Sequence, residues 1–173
     1  MKHTIMAALA AALCVASIAS ADAHVTLETR EAAPASTYKG VLRVGHGCDG
    51  AATTAIRMRI PDGASTVKPM PKPGWTLTTK EGPLAKPITD HGRSITTGVL
   101  EITWAGGELP DAWYDEFVFR VKLPDNKPGT LVHFPVVQEC GQAVHRWIEI
   151  PETGKSADDY KEPAPAVKLV AKP

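Results

Sequence analysis

The chain predicts an all-β protein, a single immunoglobulin-like antiparallel β-sandwich. Three observations predict it. Short runs rich in β-branched and aromatic residues recur along the sequence, Pro and Gly close nearly all of them, and no stretch of eleven residues carries a helical repeat.

The elements follow in order. Residues 1–23 read as a secretory signal: Lys2 and His3 open it, Ile5 to Ile18 is almost unbroken apolar sequence, and Ala21-Asp22-Ala23 offers small residues for cleavage. The apolar run is shorter than the ~20 residues a membrane-spanning helix needs, so cleavage rather than anchoring is expected. Cys14 lies inside the run behind bulky Leu13 and leaves with the leader. The product would begin at His24 and reside in the periplasm or outside the cell.

Val25-Thr26-Leu27 alternates directly after His24. Further strands are expected at Val41–Val44, Thr53–Ile60, Trp75–Thr79, Ser94–Trp104, Glu116–Leu123, Leu131–Gln138 and Ala143–Ile150. Pro61-Asp62-Gly63, Lys72-Pro73-Gly74, Gly106-Gly107, Pro124-Asp125-Asn126 and Lys127-Pro128-Gly129 supply turn chemistry between them. In the last strand, His145, Trp147 and Glu149 share one face. Trp75, Trp104 and Trp113 read as core or hinge packing. The sandwich is expected over residues 24–152. Residues 153–173 are Pro-rich and are expected as an extended C-terminal tail, lying along the surface or partly disordered.

Charge excludes one class of partner. The 19 basic and 19 acidic residues become 18 of each once Lys2 and Asp22 leave, so no basic excess exists to engage nucleic acid. No segment beyond the leader is apolar enough to span a membrane. Cys48 and Cys140 remain after export, and an isolated pair in an oxidising compartment is expected to form a disulfide. A blue-copper arrangement around them fails because the last methionine is Met70, far upstream of Cys140. The glycines around His46 suggest a tight turn, and His46, His91 and His133 read as ordinary loop or surface residues. His145 shares a face with Trp147 and carries more interest.

His24 carries the chemistry. A histidine at a new N-terminus presents the α-amine and ring Nδ1 together, and the pair can chelate one metal ion. Imidazole suits copper and zinc, and copper(II) heads the divalent affinity order. Export itself would create the site.

His24-Val25-Thr26-Leu27, Glu31-Ala32, the Pro-Lys-Pro-Gly-Trp segment at 71–75 and the tryptophan of Arg146-Trp147-Ile148 together resemble the YcnI family of exported copper-binding domains. The resemblance implies an immunoglobulin-like fold and a copper(II) site with a single-histidine brace. In that brace His24 gives both nitrogens, a carboxylate completes the set, and Trp147 packs against the metal. Glu31 is the carboxylate expected from the His-Val-Thr…Glu-Ala arrangement, with Glu28 and Glu139 as rivals. The expected role is copper storage, trafficking or homeostasis, without catalysis, and with copper and another copper-trafficking protein as expected partners. Two other classes compete: a copper oxidase acting on polysaccharide, which would draw on a second histidine such as His145 and on Tyr38, and an interaction domain without metal.

Overall fold

The computed structural model describes residues 24–90 and 92–172. The leader expected over 1–23, Cys14 and His91 lie outside them. Twelve strands run through the described residues in chain order. They are β1 (Thr26–Leu27), β2 (Glu31–Ala32), β3 (Thr37–Val44), β4 (Thr53–Arg59), β5 (Ser65–Pro69) and β6 (Thr76–Asp90). Then come β7 (Arg93–Leu109), β8 (Asp115–Lys122), β9 (Leu131–His133), β10 (Val136–Cys140), β11 (Ala143–Trp147) and β12 (Ala166–Leu169). Among the described residues the one helical turn is a 3-10 segment at Ala157–Asp159, capped by Ser156.

Two antiparallel sheets face each other, one ordered β1-β3-β8-β5 and the other β11-β10-β4-β7-β6. Alternation along the strands sends Leu42, Val44, Phe117, Phe119 and Val121 from the first sheet against Ile56, Met58, Ile102, Trp104 and Trp147 from the second. Each large side chain so buried contributes about 1.5–3 kcal/mol relative to exposure. Prolines fall on edges, where a missing N–H costs no ladder bond: Pro83 and Pro87 on β6, Pro69 on β5. The architecture is the immunoglobulin-like sandwich that the strand pattern predicts.

Four details differ from the expectation. The run Leu131–Gln138 is two strands. Phe134-Pro135 interrupts it, so that β9 pairs with β12 in a third, three-stranded sheet while β10 joins β4. Gly106-Gly107 is not a turn but an irregularity inside β7, where the register against β4 shifts between Thr53 and Ala55. A Cβ on Gly107 would lie 2.1 Å from the Trp75 ring, so glycine is there for close approach. Trp113 is not core; it is 65 % exposed.

The fourth concerns the tail. Beyond the boundary expected at 152 the chain returns to the body, and β12 pairs parallel to β2 and antiparallel to β9. Val167 and Leu169 are fully buried in the core. The alternation Ala166-Val167-Lys168-Leu169 buries one side and leaves Lys168 out. Packing therefore ends near residue 169.

Candidate metal centre

β1 ties the start of the described chain into the first sheet, pairing Thr26 with Arg43 and Leu27 with Leu42. Val25 and Leu27 are buried, so His24 projects from an anchored backbone. At the far edge of the second sheet β11 delivers His145 and Trp147 on one face, two residues apart. The turn after β3 brings His46. A return loop brings Lys161 and Glu162, pinned where Glu149 N–H donates to the Glu162 carbonyl at 3.1 Å and Ala164 N–H donates to the Glu149 carbonyl at 2.8 Å.

These segments enclose an open recess of about 550 Å³ lined by His24, His46, Asp49, Asp111, His145, Trp147, Lys161 and Glu162, among others. Trp147 forms its floor. It is 3 % exposed, and three imidazoles surround it: His145 at 5.0 Å between ring centroids, His24 at 5.4 Å edge-on, and His46 at 6.4 Å. The indole N–H donates to Gln138 Oε1 at 3.0 Å. Gln138, wholly buried on β10, donates in turn from Nε2 to the His46 carbonyl and to Thr53 Oγ1, both at 2.7 Å. One buried amide thus fixes the tryptophan and the backbone of the histidine turn together.

Hydrogen bonds also decide which ring nitrogen serves as donor. His24 Nε2 lies 3.1 Å from the Lys161 carbonyl, which can only accept, so Nε2 carries the proton and Nδ1 keeps its lone pair. His145 Nδ1 lies 2.7 Å from Glu162 Oε1, and with that carboxylate ionised Nδ1 donates and Nε2 keeps the lone pair. Glu162 Oε2 also accepts from the Arg146 backbone N–H at 3.0 Å. His46 Nδ1 donates to the Gly47 carbonyl. Adjacent residues Lys161 and Glu162 therefore orient two imidazoles at once. Such outer contacts usually fix a metal-ligating histidine.

The carboxylates are arranged otherwise than the sequence suggests. Glu31 is exposed on β2, opposite Lys168 of β12, and does not line the recess. Glu28 pairs with Arg43 at 3.3 Å and Glu139 with Arg57 at 2.9 Å. Asp49, Asp111 and Glu162 are the acids that line it, and Asp111 Oδ1 accepts from Gly47 N–H at 2.9 Å. Among the described residues, no three His, Cys, Asp or Glu side chains converge as a ready-made metal site. His46, expected as a plain loop residue, lines the recess; its neighbour Gly47 has no room for a Cβ, which would meet the Ala51 carbonyl oxygen at 1.9 Å. His133 lies apart on β9, where burial lowers its pKa below the ordinary histidine value.

Cys48 and Cys140 form the expected disulfide, with Cα atoms 5.8 Å apart. The bridge sits beside Gln138 and Thr53, whose hydroxyl approaches Cys140 Sγ at 3.7 Å. It staples the histidine turn to the end of β10. No helix among the described residues is long and apolar enough to cross a membrane.

Among solved structures the chain is similar to an uncharacterized protein from Nocardia farcinica described as having an immunoglobulin-like fold. The TM-score is 0.63 at 25 % identity, over 86 % of this chain and 99 % of that one. No curated protein matches the sequence. Residues 24–169 match the family described as a domain of unknown function, DUF1775, and the match begins at His24 and ends at the last residue of β12. The chain belongs to the DUF1775 domain family.

Proposed function

We propose that the protein is an exported copper-binding protein, of the YcnI kind, whose mature chain starts at His24 and binds copper(II) through the α-amine and ring Nδ1 of that residue. The observation that carries the reading is the hydrogen bond from His24 Nε2–H to the Lys161 carbonyl. It commits the ring to the tautomer in which Nδ1, the nitrogen that closes a chelate with the terminal amine, is the donor atom. Val25 and Leu27 hold that terminus against the core, which lowers the entropy cost of ordering two donors.

Trp147 presents its ring to His24 and closes the recess from below, shielding one side of the ion from water. Asp49, Asp111 and Glu162 line the recess where a completing carboxylate is wanted, and these take precedence over Glu31. The bound ion would be held for storage or transfer: the recess is open, and a partner protein can replace protein donors one at a time. Tyr38, the phenol an oxidase reading would need, supports the binding role instead. It is buried against Phe119 and Phe134, with its hydroxyl donating to the Thr29 carbonyl at 2.6 Å. Burial pushes its pKa up to about 12, and Glu28 adds to the shift.

Copper(II) titration of the mature chain and single variants tests the reading. His24→Ala is expected to weaken binding by at least a hundredfold. Trp147→Phe is expected to retain stoichiometry with a changed visible spectrum, and Glu31→Gln to behave as the parent. Equal affinity for parent and His24→Ala would refute the brace.

A further inference from the structure

We propose that His46 and His145 form a second site for a divalent late first-row metal ion, with copper(II) the tightest, in the same recess but independent of the terminal amine. Nothing in the single-histidine brace uses these two residues. Their ring centroids are 6.0 Å apart. An imidazole that ligates at about 2.0–2.1 Å keeps its centroid about 3.2 Å from the ion, so two ligating rings lie within about 6.4 Å of each other. The observed spacing lies within that limit.

The outer contacts match the same role. The Nδ1–H of His145 is given to Glu162, the carboxylate–histidine arrangement that raises ligand basicity and sets Nε2 as the donor. Glu162 is itself held by the Arg146 backbone N–H, and its own backbone N–H donates to Glu149 Oε2 at 2.7 Å. The His46 ring is braced through Nδ1 by the Gly47 carbonyl, and its own carbonyl is gripped by Gln138. Both imidazoles therefore rest on buried or doubly bonded supports, which a solvated surface histidine lacks. Asp49 and Asp111 line the same recess, whose negative charge favours a cation. Two protein imidazoles with water completing the shell make a weaker, faster-exchanging site than the chelate. It is suited to receive an ion on its way to or from His24.

The experiment uses the chain from residue 24 with His24→Ala, which removes the brace, and copper(II) as the probe. Calorimetry is expected to show one bound ion, and pulsed electron paramagnetic resonance to show modulation from two imidazoles. Adding His46→Ala and His145→Ala is expected to weaken binding at least tenfold and abolish that modulation. Glu162→Gln in the His24→Ala background, which keeps a hydrogen-bond acceptor, is expected to weaken binding about tenfold, within the range for lost outer-sphere partners. This milder variant decides the matter if the double change unfolds the chain. A His24→Ala protein whose copper binding is indifferent to His46, His145 and Glu162 would overturn the second site. It would leave the brace untouched, because the brace is tested by comparing the parent with His24→Ala or with the acetylated amine.

Discussion

The indole N–H of Trp147 donates to the side-chain carbonyl of Gln138 at 3.0 Å, and both residues are buried. Through the other end of its amide, Gln138 also holds Thr53 and the His46 carbonyl. Replacing it by Met keeps the volume but strands these partners, and each unsatisfied buried polar group costs about 1–3 kcal/mol. Gln138→Met is expected to lose about 2–4 kcal/mol in urea unfolding. Copper binding should weaken as well, because the Trp147 floor and the His46 turn lose their common support. Parent-like stability would show that the amide is incidental.

The Cys48–Cys140 bridge closes a separation of 92 residues. In the chain-entropy account a loop of that length stabilises by about 4–5 kcal/mol. Reduction, or the double change to Ala, is expected to lower the urea midpoint accordingly and to loosen the His46 turn. Mass measurement after alkylation of unreduced protein should find no modified cysteine; two modified cysteines would contradict the bridge.

Strand β12 carries a prediction about truncation. Leu169 is fully buried, its backbone N–H donates to the Thr130 carbonyl at 2.8 Å, and Leu→Ala changes in cores cost about 2–5 kcal/mol. Leu169→Ala should fall in that range, and a chain ending at residue 163 should not fold to the native near-ultraviolet spectrum. A stable protein without residues 164–173 would show that the third sheet is dispensable.

Tyr38 sets the alkaline limit. Its folded pKa of about 12 lies above the ordinary phenol value of 10.0, so the neutral phenol favours the folded state. The contribution is fully present below pH 10 and is lost as pH rises through about 12. Two pKa units correspond to roughly 2–3 kcal/mol. In Tyr38→Phe the decline in stability between these pH values should be shallower. The difference in phenolate absorbance between parent and variant should show one group ionising near 12. Ionisation near 10 would mean that the ring is hydrated.

Much of this is legible in the sequence itself. His24 beside an alternating Val25-Thr26-Leu27, and His145 two residues from Trp147 on one strand, both followed from period-two geometry, which transfers directly to space. The disulfide followed from having two cysteines and no competing ligand set. What was hidden depends on long-range packing. Lys161 and Glu162 lie in a Pro- and Ala-rich stretch with little strand signal, yet the Glu149–Glu162 backbone bond carries them to the recess. Gln138 looks like any polar residue at a strand end until the Trp147 indole, Thr53 and the His46 carbonyl close on its amide. The glycines flanking His46 signalled a turn correctly but said nothing of where the turn points. Glu31 matched a sequence arrangement, whereas strand β2 commits its backbone to β12.

The most direct measurement compares two forms of the mature chain, one with a native His24 amine and one with that amine acetylated, by copper(II) titration and electron paramagnetic resonance. Acetylation converts the amine donor into a weakly coordinating amide and leaves the rest of the chain unchanged. The account predicts tight binding with two inequivalent nitrogen donors from His24 in the first form, and at least a hundredfold weaker binding with an altered spectrum in the second. Identical affinity and identical spectra in the two forms would contradict it.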